Sequence, residues 1–225
     1  MVSLTKSLNL GRSLVALGLV TLGCLLAPNP AKAVTFTPLV SQDGDSDFDD
    51  SDFISLLNTG KFTELFVAEG RIGNNSTNTG ERELGINTAT GTPVAAGNFA
   101  WGNGKVWDFS LEYTGSKVTY TVFDPSQTIQ LTSQQFSGPI NQIYLRTFAN
   151  RGSGNNLQNG VFLNSLLFNG TPVGSLGSSG TTNPDTDFLG LSNISAPFTL
   201  TGKTALSWVG ASPLRSNLGF QIKVG

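Results

Sequence analysis

The chain has 225 residues, with 13 basic and 15 acidic side chains, one cysteine and no histidine. Without histidine there is no imidazole base, no Ser-His-Asp or Cys-His triad and no ordinary zinc site. The acidic balance argues against nucleic acid as a partner, because that partner demands a basic surface.

Lys6 and Arg12 form a short positive segment with no acid beside it. Leu14 to Ala27 is almost wholly apolar, the length of a signal-peptide core and too short to span a bilayer well. Pro28 and Pro30 break that run. Ala31-Lys32-Ala33 then offers small residues at the two positions a signal peptidase reads. The pattern predicts a signal peptide over 1–33, cleaved after Ala33, and one secreted domain over 34–225, extracellular or periplasmic. Cys24 follows Gly23, as at a lipoprotein site. Thr21 is a poor residue three positions earlier, and cleavage there would leave Leu25-Leu26 at the new terminus. Cys24 therefore reads as a small apolar residue of the leader.

The leader takes away three basic residues and no acid, so the mature chain carries ten basic and fifteen acidic side chains, net −5. That charge does not suit an anionic membrane. With no cysteine left, a disulfide framework and thiolate metal sites are ruled out, and the domain must rely on its core. No apolar tail follows Val224-Gly225, so no integral span is expected after cleavage.

Val34-Thr-Phe-Thr opens the mature chain as a short strand and runs into an acidic stretch. Phe53-Ile54 and Leu56-Leu57 are apolar at helical spacing, with Ser51 or Asp52 as cap and Gly60 as terminator. This is the one helix expected. Strand patterns follow at Leu65–Ala68, Glu83–Ile86 and Phe99–Trp101. Gly102-Asn103-Gly104 has the composition of a hairpin turn. In Val106–Tyr113, Trp107, Phe109, Leu111 and Tyr113 alternate with Asp108, Ser110 and Glu112. Val118–Phe123, Ile140–Ala149, Val161–Phe168, Phe198–Thr201 and Ala205–Val209 continue the style. The stretch from Gly170 to Pro197 reads as loop-rich, with Gly174–Thr182 nearly all Gly, Ser and Thr and a strand only at Phe188–Leu191. The last strand is the clearest: Leu218, Phe220, Ile222 and Val224 alternate with Gly219, Gln221 and Lys223. About ten strands at these intervals predict an all-β fold, an antiparallel β-sandwich of jelly-roll type with one short N-terminal helix.

Ser51-Asp-Phe-Ile, Phe62-Thr-Glu-Leu-Phe-Val-Ala-Glu-Gly-Arg-Ile-Gly73 and Arg82-Glu-Leu-Gly-Ile86 resemble the front half of the choice-of-anchor secreted domains of cyanobacteria, most nearly the one lettered W. Phe198-Thr-Leu-Thr-Gly, Leu206-Ser-Trp208 and Ser216-Asn-Leu-Gly-Phe-Gln-Ile-Lys-Val224 fit its end. The resemblance covers nearly all of the mature chain and includes no catalytic motif. It implies a β-rich domain displayed or released outside the cell. Many such domains end in a Pro-Glu-Pro sorting tail, and this sequence ends at Gly225 instead. The family carries no established reaction or binding residues.

Asp43, Asp45, Asp47, Asp49, Asp50 and Asp52 alternate as in a calcium loop, and Asp43, Asp45, Asp47 and Asp49 are the candidate ligands. An EF-hand does not fit, because Phe48 and Ile54 stand where Gly and Glu are required. The competing reading is a solvated acidic loop whose charge favours the positive end of the following helix. Glu64, Glu69, Glu81 and Glu83 could supply a hydrolytic carboxylate pair. Glu64 and Glu69, five apart, would face opposite ways on one strand, and Glu69 would pair with Arg71. Trp101, beside a turn, is the candidate for an exposed glycan contact, while Trp107 and Trp208 are expected in the core. Asn75-Ser-Thr77 and Asn169-Gly-Thr171 match glycosylation acceptors and read as loop residues.

The expected function is that of a secreted or envelope-associated, non-enzymatic domain with a structural or adhesive role. Its partners would be extracellular polysaccharide or other envelope proteins. The alternatives are a carbohydrate-binding module, with Ca2+ as a conceivable cofactor, and a glycoside hydrolase or lyase. The first alternative needs an exposed aromatic platform or a groove lined by Asn, Asp and Arg. The second needs two carboxylates in one cleft.

Overall fold

The structure, a computed structural model, describes residues 35–39, 48–73, 81–123, 128–152 and 154–225. All of them fall in one unit, Ala33–Gly225. In chain order the elements are β1 (Thr35–Leu39), α1 (Asp50–Asn58), β2 (Phe66–Arg71), β3 (Glu81–Thr88), β4 (Pro93–Ala100), β5 (Val106–Tyr113), β6 (Val118–Phe123), β7 (Ile129–Ser133), β8 (Gln142–Ala149), β9 (Asn156–Phe168), β10 (Thr171–Gly180), β11 (Asp185–Ser192), β12 (Phe198–Gly210) and β13 (Leu218–Val224).

The strands form two antiparallel sheets. The larger runs β1-β11-β8-β13-β2-β3-β4 and the smaller β10-β9-β12-β5-β6-β7. Count β2, β5 and β8 to β13 as strands one to eight. The larger sheet then holds them in the order six-three-eight-one and the smaller five-four-seven-two, which is a jelly roll. The hairpin β3–β4 extends the larger sheet beyond β2, and β6–β7 extends the smaller beyond β5. The described residues thus form an all-β sandwich of jelly-roll order with one short helix.

Period-two alternation builds the core between the sheets. On β13, Leu218, Phe220, Ile222 and Val224 are fully buried. Phe220 sits edge-on to Trp101 and against Phe109 of the smaller sheet. Phe66 of β2 packs on Tyr113 and Phe136, and Phe99 on Trp101 and Trp107. β13 is central, pairing with β8 on one side and β2 on the other.

Several expectations change. Gly102-Asn103-Gly104 does not close a hairpin, because β4 belongs to the larger sheet and β5 to the smaller. The turn is a crossover. Thr171–Gly180 is a strand, not a loop. Two of its glycines are required by proximity: a Cβ on Gly177 would lie 2.9 Å from the Val161 carbonyl oxygen, and one on Gly180 2.3 Å from that of Ala149. Val173, Leu176 and Ser178 point inward. Phe198–Thr201 and Ala205–Val209 are one strand, because Gly202 admits Leu166 and Phe109 where a Cβ would collide with both. β7 was not expected from its short polar pattern. Helix α1 is capped by Asp49, not by Ser51 or Asp52. The Asp49 carboxylate accepts from the Ser51 and Asp52 amides, and the Asp52 side chain accepts from the Asp49 amide, a complete capping box. Gly60, at φ +68°, follows the helix as expected.

Candidate functional site

Residues that alternate with the core on the larger sheet make its outer face. On β2 these are Val67, Glu69 and Arg71, alternating with the inward Phe66, Ala68 and Gly70. Register puts Gly85 beside Glu69 and Ala96 beside Gly85. On the other side of Glu69 come Gln221 of β13 and then Arg146 of β8.

Helix α1 covers one half of this face. Phe53 packs against Phe62, Tyr144 and Phe188, and Arg146 holds Asp50 through two parallel bonds of 2.6 and 2.5 Å. That forked geometry orients the helix by its first turn. The other half, over β2, β3 and β4, is open. Its small residues, Gly85 and Ala96, leave a groove of about 290 Å³ bordered by Glu69, Arg71, Asn87 and Asn98.

Glu69 is 4% exposed and Asn87 5%. The Glu69 carboxylate accepts from Gln221 Nε2 at 3.2 Å, and Arg71 Nε stands 3.5 Å from its other oxygen. A Cβ on Gly85 would come within 3.0 Å of Asn87 Oδ1 and 3.4 Å of Glu69 Oε1, so both acceptors flank the position that the glycine leaves open. Asn87 Oδ1 is buried and has no hydrogen-bond partner. Beneath the sheet, burial pushes the Tyr120 phenol well above its ordinary value, and the nearby Glu69 charge adds to the shift.

A second cleft, of about 440 Å³, lies between Lys61–Leu65 and Ser137–Asn141. Glu64 lines it and accepts from Lys223 Nζ at 3.1 Å. The Lys223 ammonium also lies 5.0 Å above the Phe53 ring. Burial raises the Glu64 pKa, against the opposing pull of Lys223. Glu64 precedes β2, so strand alternation does not govern it. Contrary to expectation, Glu64 and Glu69 reach the same sheet face, where their partners Lys223 and Gln221 are two residues apart on β13. They line separate clefts nonetheless.

Trp101 is not an exposed glycan contact. It is fully buried among Phe99, Phe220 and the backbone of Gly70. Its position after β4, at the crossover between sheets, drives the ring into the core. Trp107 is buried and donates to the Trp101 carbonyl at 2.7 Å, and Trp208 is partly buried against the core. Of the calcium candidates, Asp43, Asp45 and Asp47 lie outside the described residues, as does Asn75, and Asp49 is taken up by the helix cap. Glu69 and Arg71 pair as expected. Glu83 stands in register with Arg71, and Glu81 with Ala100. Asn169 is exposed in the β9–β10 turn, where its side chain accepts from the Thr199 amide. Asn87, Asn98 and Gln221 escaped sequence reasoning as site residues. None of them belongs to a recognisable motif, and only register brings them to the face that holds Glu69.

Fold and site together define a jelly-roll β-sandwich with a polar groove on the outer face of its larger sheet. A scan against known protein families finds no match for the chain, and neither does a search of curated proteins.

Proposed function

We propose that this protein is an exported, non-enzymatic domain with a structural or adhesive role at the cell surface or in the extracellular matrix. The leader pattern of residues 1–33 supports export, and so does the resemblance to choice-of-anchor W domains. The observation that carries the non-enzymatic reading is the separation of the two acids. Glu64 is held by Lys223 in one cleft, and Glu69 by Gln221 and Arg71 in another, whereas glycoside hydrolysis wants two carboxylates flanking one bond. The test is expression of the whole chain with its leader, followed by N-terminal sequencing and cell fractionation. The reading expects a chain starting at Val34, retained in the envelope or matrix fraction and releasing no reducing ends from polysaccharides. An intact Met1 in the cytoplasmic fraction, or hydrolysis lost on Glu69→Gln, would overturn it.

The groove of Glu69, Arg71, Asn87 and Asn98 favours a second reading, a carbohydrate-binding module. Such sites present a few convergent polar groups in a concave surface. Calcium dependence belongs to this reading and rests on Asp43, Asp45 and Asp47. Calorimetric titration with calcium tests it, and no heat at millimolar calcium would end it.

A further inference from the structure

We infer that the groove above Gly85 is a binding site for one neutral sugar unit. The inference deepens the carbohydrate-binding reading and rests on it.

Three observations combine. The first is the floor. Most β-strand positions on an outer face carry side chains that fill the surface, but here Gly85 and Ala96 are neighbours in register and leave the centre open. A side chain at Gly85 would press on Asn87 and Glu69 at 3.0–3.4 Å.

The second is an unsatisfied group. Buried polar atoms are nearly always paired. Asn87 is 5% exposed, lines the groove, and its Oδ1 has no partner. It lies beside Gly85 at the base of the groove, where a turn of the side chain would present it to a hydroxyl that donates to it.

The third is the mixture of bonding types. Glu69 only accepts, Arg71 only donates, and the amides of Asn87 and Asn98 do both. Vicinal hydroxyls donate and accept from adjacent atoms, so a polyol matches this set where a phosphate or carboxylate does not. Arg71 is already paired with Glu69, so among the described residues lining the groove no cation stands uncommitted for an anionic ligand. Gln221 and Arg71 hold the Glu69 carboxylate in place before any ligand arrives, which lowers the ordering cost of binding. About 290 Å³ sits at the lower end for small-molecule sites, so the site takes a single unit of a chain, not a long segment.

The test uses the 15N-labelled secreted chain and its amide spectrum. Glucose, galactose, mannose and N-acetylglucosamine are titrated separately to tens of millimolar, with glucuronate as the anionic probe. Saturable shifts on β2, β3 and β4 are expected with at least one neutral sugar, and weaker ones with glucuronate. Gly85→Val should weaken that binding about tenfold, as should Asn98→Ala, which changes an exposed side chain and leaves the fold intact. An unchanged melting temperature in Asn98→Ala separates lost binding from lost folding. Shifts confined to another face would overturn the groove but keep the carbohydrate-binding reading. Tighter binding of glucuronate, or full affinity in both variants, would overturn the proposal. An absence of shifts with every neutral sugar would overturn both.

Discussion

Asn103 completes the backbone pairing of Trp208: its Nδ2 donates to the Trp208 carbonyl at 2.9 Å, and its Oδ1 accepts from the Trp208 amide at 2.8 Å. The last β5–β12 pair is Val106 with Ala205. Beyond it the chain turns toward the larger sheet, and Asn103 substitutes for a neighbouring strand. Gly104 adds a bond from its amide to the Leu206 carbonyl at 2.8 Å. One side chain thus seals the sheet edge where the chain crosses between layers.

Asn103→Ala removes both side-chain bonds while leaving the turn glycines in place. The site is exposed, so water replaces the lost partner in part. The expected cost is about 1–2 kcal/mol, or roughly 2–8 °C in melting temperature for a domain of this size. Asn103→Asp keeps the acceptor and loses the donor, so it should also destabilise. Thermal melts of the two variants check this, and a melt unchanged in both would refute the edge-sealing role.

The C-terminal strand is predicted to be indispensable. β13 lies between β8 and β2 and places four fully buried side chains in the core. Phe220→Ala should cost roughly 3–5 kcal/mol, a large share of the roughly 5–15 kcal/mol that a domain commands. A chain ending at Asn217 loses the centre of the larger sheet and should not fold. Circular dichroism and a denaturant titration read both outcomes. A truncated chain that melts like the intact one would show the segment to be a dispensable linker.

Asp49 should matter for its shape and not for its charge. It caps α1 through two backbone amides, and Asn serves an N-cap equally well. Asp49→Asn should therefore stay within a few tenths of a kcal/mol of the parent, while Asp49→Ala costs about 1 kcal/mol. Chemical denaturation of the pair separates the capping role from any electrostatic one. Equal losses in both variants would point to the charge instead.

Glu64 gives a pH dependence of defined sign. Burial raises its pKa in the folded state above the ordinary carboxylate value of 4.5, despite Lys223. Between the unfolded and folded values the native state binds more protons than the unfolded chain. This group's contribution to stability therefore falls as pH rises through that window, and is fully present only below it. Glu64→Gln fixes the neutral form. The stability of the parent relative to Glu64→Gln should decline as pH rises from 4.5 and level off above the folded pKa. Urea titrations from pH 4 to 8 measure this, and a parent that gains on the variant with rising pH would contradict it.

The alternation of Trp107, Phe109, Leu111 and Tyr113 and that of Leu218 to Val224 determined the strands, their inward faces and the all-β class. These are local facts, because a strand's side-chain period is two wherever the strand lies. Helix α1 was legible for the same reason, through apolar spacing and Gly60. What the sequence left open was partnership. Thr171–Gly180 carries too little apolar signal to read as a strand, yet it pairs with β9, where Gly177 lets the backbones approach, while Gly180 clears the end of β8. The Gly102-Asn103-Gly104 turn looks like a hairpin until β4 and β5 are assigned to different sheets. Trp101, two residues after the inward Phe99, follows it into the core instead of standing out at a hairpin tip. The groove is non-local in the same way. Glu69, Gly85, Ala96 and Gln221 are far apart in sequence and share one face only through the register of four strands, which is set by which core side chains must meet.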